Sequence, residues 1–262
     1  MNQPIGVFDS GVGGLSVLRH IKVALPFESL CYLADSAHAP YGEKTPAAIR
    51  ERATRCTEFL IAQGAKAIVV ACNTATAAAA AHLRSHFDLP IVAMEPAVKP
   101  AASATRSGVV GVLATTGTLK SAQFAALLDT WGKRIEVITQ AGTGLVECVE
   151  QGALDTPATQ QRVAGHIAPL IAGGADTIVL GCTHYPFLRA AIEKAAGPQV
   201  TLIDTGAAVA RQLTRVLHES ALLSTADTSS TRFWTTGDKA TAQRVMSALW
   251  GTPVEVAHAG DL

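Results

Sequence analysis

Neither sign of charge prevails in this sequence: Lys plus Arg number 21, and so do Asp plus Glu. A chain that neutralises phosphates needs a basic excess, and no basic run with interleaved aromatics occurs, so nucleic acid is not expected as its main partner. The opening "MNQPIGVFDSG" lacks the basic n-region and apolar stretch of a secretory signal. No segment approaches the roughly 18 apolar residues that a membrane-spanning helix requires, so no membrane partner and a cytoplasmic location are expected. Cysteine is sparse and unpaired: Cys31, Cys56, Cys72, Cys148 and Cys182 are odd in number, and the absence of any CxxC removes the usual spacing of a zinc or thioredoxin-type centre. They are read as free thiols. The glycine-rich "VFDSGVGG" falls short of G-x-G-x-x-G because Ser16 stands at the third glycine, and no GK[ST] follows, which weakens a phosphate cradle as its role. No motif implies a metal or another cofactor.

What is present is a chain of 262 residues, 48% hydrophobic with mean hydropathy +0.27, enough for one large α/β unit or two smaller ones of about 100 to 150 residues each. Short Val/Ile/Leu-rich runs alternate with helix-period segments, the pattern of a mostly parallel sheet covered by helices. Strands are expected at Ile5 to Phe8, Leu30 to Ala34, Ala67 to Ala71, Ile91 to Met94, Val109 to Leu113, Ile135 to Thr139, Thr177 to Leu180 and Thr201 to Ile203. Near the end, "RFWTTG" and "VEVAH" flank a helix expected from about Lys239 to Leu249, and the polar "STADTSSTR" reads as a surface loop.

An internal echo runs through this pattern. "AIVVACNTATAAAA" and "TIVLGCTHYPFL" both pass from an apolar strand to a helix-like run with a cysteine at the join, Cys72 and Cys182. Upstream, Asp9 in the first opening segment corresponds by layout to Thr115 in the second. Two similar α/β domains follow, 1–97 and 98–206, with 207–262 packing back on the first.

In open α/β sheets ligands sit beyond the carboxyl ends of the strands, beside the N-termini of the following helices, which is where both cysteines fall. Free N–H groups and the helix dipole there favour a thiolate over the resting thiol of pKa about 8.5. Asn73, Thr74 and Thr183 add short hydrogen-bonding groups suited to a carboxylate or amine. A lone cysteine is most simply a buried small hydrophobe, and Cys31, Cys56 and Cys148 keep that reading. The paired layout sets Cys72 and Cys182 apart. Facing units would bring the two thiols to opposite walls of one cleft, an arrangement suited to removing a proton from one face of a carbon and returning one to the other, which is racemisation or epimerisation. Asp9 and His184 stand where they would assist; the plain alternative for His184 is a capping or helix-surface histidine.

The segments "FDSGVGGLSVL", "ADSAHAPYGEKT", "ACNTATA", "EPAVKPA", "GCTHYPFL" and "LIDTGAAVA" together closely resemble the glutamate racemases of the cofactor-independent aspartate and glutamate racemase superfamily, over nearly the whole chain. The resemblance implies two Rossmann-like α/β domains with mostly parallel sheets, related by a pseudo-two-fold, and an active site in the cleft between them. It implies interconversion of L- and D-glutamate for peptidoglycan, with no cofactor and no metal. Carried over by position, Cys72 and Cys182 are the proton donors and acceptors and Asp9 and His184 assist them. Asp9, Ser10, Tyr41, Gly42, Asn73, Thr74, Thr183 and His184 contact substrate, and Glu147 takes the place of a family glutamate near the site. Ala141 stands where the family often has cysteine, a departure that bears on the shape of the adjoining loop. Family members often form homodimers. An aspartate or hydantoin racemase, or a non-catalytic amino-acid-binding or regulatory protein, are the alternatives.

Overall fold

The computed structural model describes residues 3–131, 135–260 and 262. The first unit opens with β1 (Ile5–Asp9), α1 (Leu15–Ala24), β2 (Leu30–Ala34), α2 (Pro46–Ala62), β3 (Ala67–Val70), α3 (Asn73–His86) and β4 (Ile91–Ala93). Every residue of β1, β2 and β3 is buried, as expected of parallel strands covered by helices on both faces, whose sequence then reads as an unbroken apolar run. Thr45 caps α2 by accepting the Ala48 N–H, and Pro46 occupies the first helical position, where its missing N–H costs nothing.

The second unit continues with α4 (Val98–Ala104), β5 (Val109–Ala114), α5 (Thr116–Leu119), α6 (Ala122–Trp131), β6 (Glu136–Ala141), α7 (Leu145–Glu150), α8 (Pro157–Ala172), β7 (Thr177–Gly181), α9 (Arg189–Ala196) and β8 (Thr201–Ile203). The chain then forms α10 (Gly206–Glu219), β9 (Thr231–Thr235), α11 (Lys239–Trp250) and β10 (Val256–His258).

The strands form two sheets, parallel throughout, ordered β10-β9-β2-β1-β3-β4 and β6-β5-β7-β8. The run β2-β1-β3-β4 of the first sheet and all four strands of the second share one order: β1 matches β5, β2 matches β6, β3 matches β7 and β4 matches β8. The echo in the sequence is thus an echo in topology, with Cys72 after β3 and Cys182 after β7. β9 extends the first sheet by pairing with β2 in the register Leu30 to Thr231. Helix α10 lays Val209, Ala210, Leu213 and Leu217 into the apolar cluster that holds Leu15, Leu18 and Ile21 of α1.

That cluster is continuous between the units, running from Val12 and Leu15 to Leu145, Val149, Tyr185 and Leu188. Burying such side chains stabilises by about 1.5–3 kcal/mol each, so one side of the interface is a shared core. The connection into β5 is fixed by Asp176, whose carboxylate accepts from Thr105 Oγ1 (2.6 Å) and from the N–H groups of Arg106 and Ser107 (2.7 Å each). Burial alone would raise its pKa, yet these hydrogen bonds hold it well below the usual carboxylate range.

Candidate active site

Both sheets end their strands at one cavity. It is lined by Ser10, Pro40, Tyr41, Gly42, Cys72, Asn73 and Thr74 from the first unit and by Thr115, Val146, Gly181, Cys182, Thr183 and His184 from the second. Its free volume is about 10 Å³, room for roughly one water, so the cleft is closed. Cys72 and Cys182 therefore open onto one cavity from opposite units.

The surroundings of the two sulfurs differ. Cys72 is the N-cap of α3, and its Sγ accepts the Ala75 N–H at 3.4 Å and lies 3.8 Å from Ser10 Oγ. The thiolate-lowering helix terminus expected from the sequence is present but outweighed: burial, and then the neighbouring Asp9 charge, push the Cys72 thiol well up despite the Ala75 hydrogen bond. Asp9, at the end of β1 and fully buried, has its own pKa raised by burial, against the pull of His184 and of hydrogen bonds from Cys72 and Thr183. Its carboxylate accepts from Ser10 N–H (2.7 Å) and, across the interface, from Thr183 Oγ1 (2.9 Å).

Cys182 does not cap an α-helix. The chain after it makes a 3-10 turn, Tyr185–Leu188, containing Pro186, and α9 begins only at Arg189; a proline in the first turn withholds one of the N–H groups that would otherwise gather at the sulfur. An imidazole takes the place of the helix terminus. His184 Nδ1 lies 3.7 Å from Cys182 Sγ, and Nε2 is 2.6 Å from Glu150 Oε1. Burial lowers the His184 pKa, but contact with Cys182 and Glu150 overrides it and holds the ring protonated well above the ordinary range. The surface reading of His184 is thereby excluded: it is 1% exposed.

Glu150, not Glu147, reaches His184. It also accepts the Val12 N–H at 2.6 Å and Ser36 Oγ at 3.0 Å, tying both units together behind the thiol pair. A Cβ on Gly11 would collide with this carboxylate and one on Gly13 with the His184 ring, which is the physical reason for glycine at both positions. Glu147 lies one turn earlier on α7 and lines a small adjoining cavity with Gly42, Glu43, Thr115 and Val146. "GLVECVEQG" offers two glutamates three apart on one helix, and only the placement of α7 chooses between them.

Tyr41 and Gly42 are held in the cavity wall by a buried carboxylate that the sequence reading did not single out. Tyr41 Oη donates to Asp35 Oδ2 at 2.5 Å, and Asp35 also accepts from Arg52 Nε (3.0 Å), Arg52 Nη2 (2.8 Å) and Thr236 Oγ1 (2.9 Å). Thr74, Thr115 and Thr118 join hydroxyls across the cleft, with Thr74 Oγ1 2.8 Å from Thr115 Oγ1 and 3.2 Å from Thr118 Oγ1. Thr115 had a sequence signal, since it occupies the echo position of Asp9. Asn73 is 4% exposed, and both its amide oxygen and nitrogen lack a hydrogen-bond partner among the described residues. The remaining thiols lie away from this cavity: Cys31 and Cys56 are buried, with burial pushing each thiol up, and Cys148 donates to the Gly144 carbonyl at 3.2 Å.

A pair of thiols supplied by two α/β units to one closed cavity, a carboxylate beside one and a His–Glu pair beside the other, defines the class: an isomerase of the racemase type. The family model for Asp/Glu/hydantoin racemases matches residues 5–213, and the chain belongs to that family. It is 61% identical to a glutamate racemase of Ectopseudomonas mendocina over 260 residues, covering 98% of this chain and 99% of that one. Among solved structures it is similar to the Escherichia coli glutamate racemase in complex with L-glutamate and the activator UDP-MurNAc-Ala (TM-score 0.86, 31% identity, 98% and 97% of the two chains covered). The Francisella tularensis glutamate racemase in complex with D-glutamate matches with TM-score 0.83, 31% identity and coverage of 98% and 96%.

Proposed function

We propose that this racemase interconverts L- and D-glutamate by a two-base mechanism in which Cys72 and Cys182 exchange the α-proton on opposite faces of the substrate. The observation that carries the reading is that the two thiols, one from each unit, line the same cavity. One sulfur, as thiolate, takes the α-hydrogen; the planar carbanion left behind accepts a proton from the other, as thiol, on the opposite face. Each turnover thus leaves the two sulfurs with exchanged protonation states.

The neighbours of each sulfur fit that exchange. Asp9, its pKa raised by burial, is suited to take a proton from Cys72 and return it. The His184 imidazolium, anchored by Glu150, is suited to stabilise the Cys182 thiolate and reprotonate it. The unpartnered Asn73 amide, with the hydroxyls of Ser10, Thr74 and Thr183 and the backbone at Tyr41–Gly42, supplies donors and acceptors for the substrate's carboxylates and ammonium. Those names in the relatives, one structure holding L-glutamate and another D-glutamate, support glutamate as the substrate. Supply of D-glutamate to peptidoglycan is the role such an activity serves.

The test is racemisation in deuterated water without added cofactor. Product should carry solvent deuterium at Cα while the substrate pool stays largely protiated early in the reaction, with L- and D-glutamate far outpacing aspartate and hydantoins. Rapid exchange into substrate without inversion would instead mean a single base.

A further inference from the structure

The cavity between the thiols is too small to receive glutamate as it stands, but it is not the largest space between the units. Immediately outside it lies a cavity of about 600 Å³. Gly42 and Thr74 line both spaces, so the partition between them is thin. On the second unit's side that partition is Thr115, whose hydroxyl meets Thr74. The floor of the outer cavity is apolar, with Ile49, Ala77 and Ala78, and its rim carries Lys44 from the first unit and Lys120 from the second. Neither ammonium takes part in an ion pair among the described residues. Glu43 is the one acidic side chain lining the space, so its ionised groups sum to one positive charge.

We infer that this outer cavity is an anion-collecting vestibule, in which Lys44 and Lys120 gather a small dicarboxylate before the Thr74–Thr115 contact parts and admits it to the thiols. The inference rests on the substrate reading above. Glutamate carries a net negative charge at neutral pH, and two unpaired cations on opposite walls of a cleft focus their field on the opening between them. Hydroxyl-to-hydroxyl contacts are a suitable closure, since protein and water partners are nearly equivalent for a hydroxyl and one is readily exchanged for the other. The opposite side of the interface, by contrast, is the continuous apolar core and has no such ease of parting.

The test uses the full-length enzyme and compares kcat and kcat/KM for glutamate at low and high salt. In wild type, kcat/KM should fall as salt rises, because screening weakens the approach of a charged substrate. The double variant K44A/K120A should lose about ten-fold in kcat/KM at low salt with kcat little changed, and its salt dependence should flatten. E43Q should move kcat/KM in the opposite direction. Ala122→Trp, at an exposed rim position that leaves the core untouched, should lower kcat/KM by obstructing the space, without altering kcat. K44R/K120R should behave as wild type. If wild type racemises glutamate while K44A/K120A and A122W keep its kcat/KM and salt response, the vestibule is wrong and substrate arrives elsewhere. A wild type that does not racemise glutamate would overturn the substrate reading itself.

Discussion

The two halves of this site share a topology and differ in chemistry. Cys72 sits at a helix N-cap with a buried carboxylate for its neighbour, whereas Cys182 sits on a turn with a protonated imidazole for its neighbour. A helix terminus and an imidazolium are alternative sources of positive potential, and the fold provides one to each sulfur. The Asp9 charge counteracts the helix at Cys72, while Glu150 reinforces the imidazolium at Cys182. The lesson is that duplicated strands place equivalent atoms in equivalent positions, and the residues packed around them then give each sulfur a different electrostatic setting.

Removing either sulfur is the strongest way to break this comparison. Cys72→Ala and Cys182→Ala should each lower racemisation by about 10²- to 10⁴-fold, while Cys31→Ala, Cys56→Ala and Cys148→Ala should leave kcat within a few-fold, as chiral chromatography of the product will show. The single cysteine variants should still exchange the α-hydrogen of one enantiomer each, and opposite ones. Exchange of the same enantiomer by both variants would remove the assignment of one face to each thiol.

Next in size is the choice between the two glutamates of α7. Glu150→Gln keeps the shape but removes the charge that holds His184 protonated, so kcat should drop about 10²-fold and the pH–rate profile should shift to lower pH. Glu147→Gln should change neither by more than a few-fold. Equal losses in the two variants would contradict the geometry.

The His184–Glu150 pair also predicts a pH dependence of stability. His184 has a higher pKa folded than unfolded, so its contribution is complete below the unfolded value of about 6.5 and is lost as pH rises through the higher native value. The gap in unfolding free energy between wild type and His184→Gln should therefore narrow toward alkaline pH in urea titrations. The smallest effect belongs to Asp176, which has no counterpart in the cleft. Its pKa is lower folded than unfolded, so its contribution is present above about 4 and fades as pH falls below that. Asp176→Asn should lower Tm slightly near neutral pH, and the difference should shrink in acid.

Much of this was legible in the chain. β1, β2, β3 and β7 announce themselves because buried parallel strands have no polar face to interrupt the apolar run. The exposed edge is less legible: the strand expected from Ile135 runs instead over Glu136–Ala141, with its register set by pairing to β5. Cys72, Asn73, Cys182, Thr183 and His184 were visible because the site lies at strand ends that the repeated layout marks. Glu150, Asp35 and Ser36 were not, because each acts on a residue far away in sequence, and nothing in local spacing says which glutamate of α7 meets His184.

The order of strands and helices, the duplication of a strand–cysteine junction and the absence of charge bias were determined by the sequence alone, since hydrophobic periodicity and residue type are local properties. Tertiary structure decided which charged neighbour each sulfur receives, which glutamate supports the imidazole and how tightly the cleft closes. Electrostatic environment and cavity size depend on distances between segments far apart in sequence, 174 residues in the Asp9 to Thr183 hydrogen bond and 201 in that of Asp35 with Thr236, and no local pattern encodes such a distance.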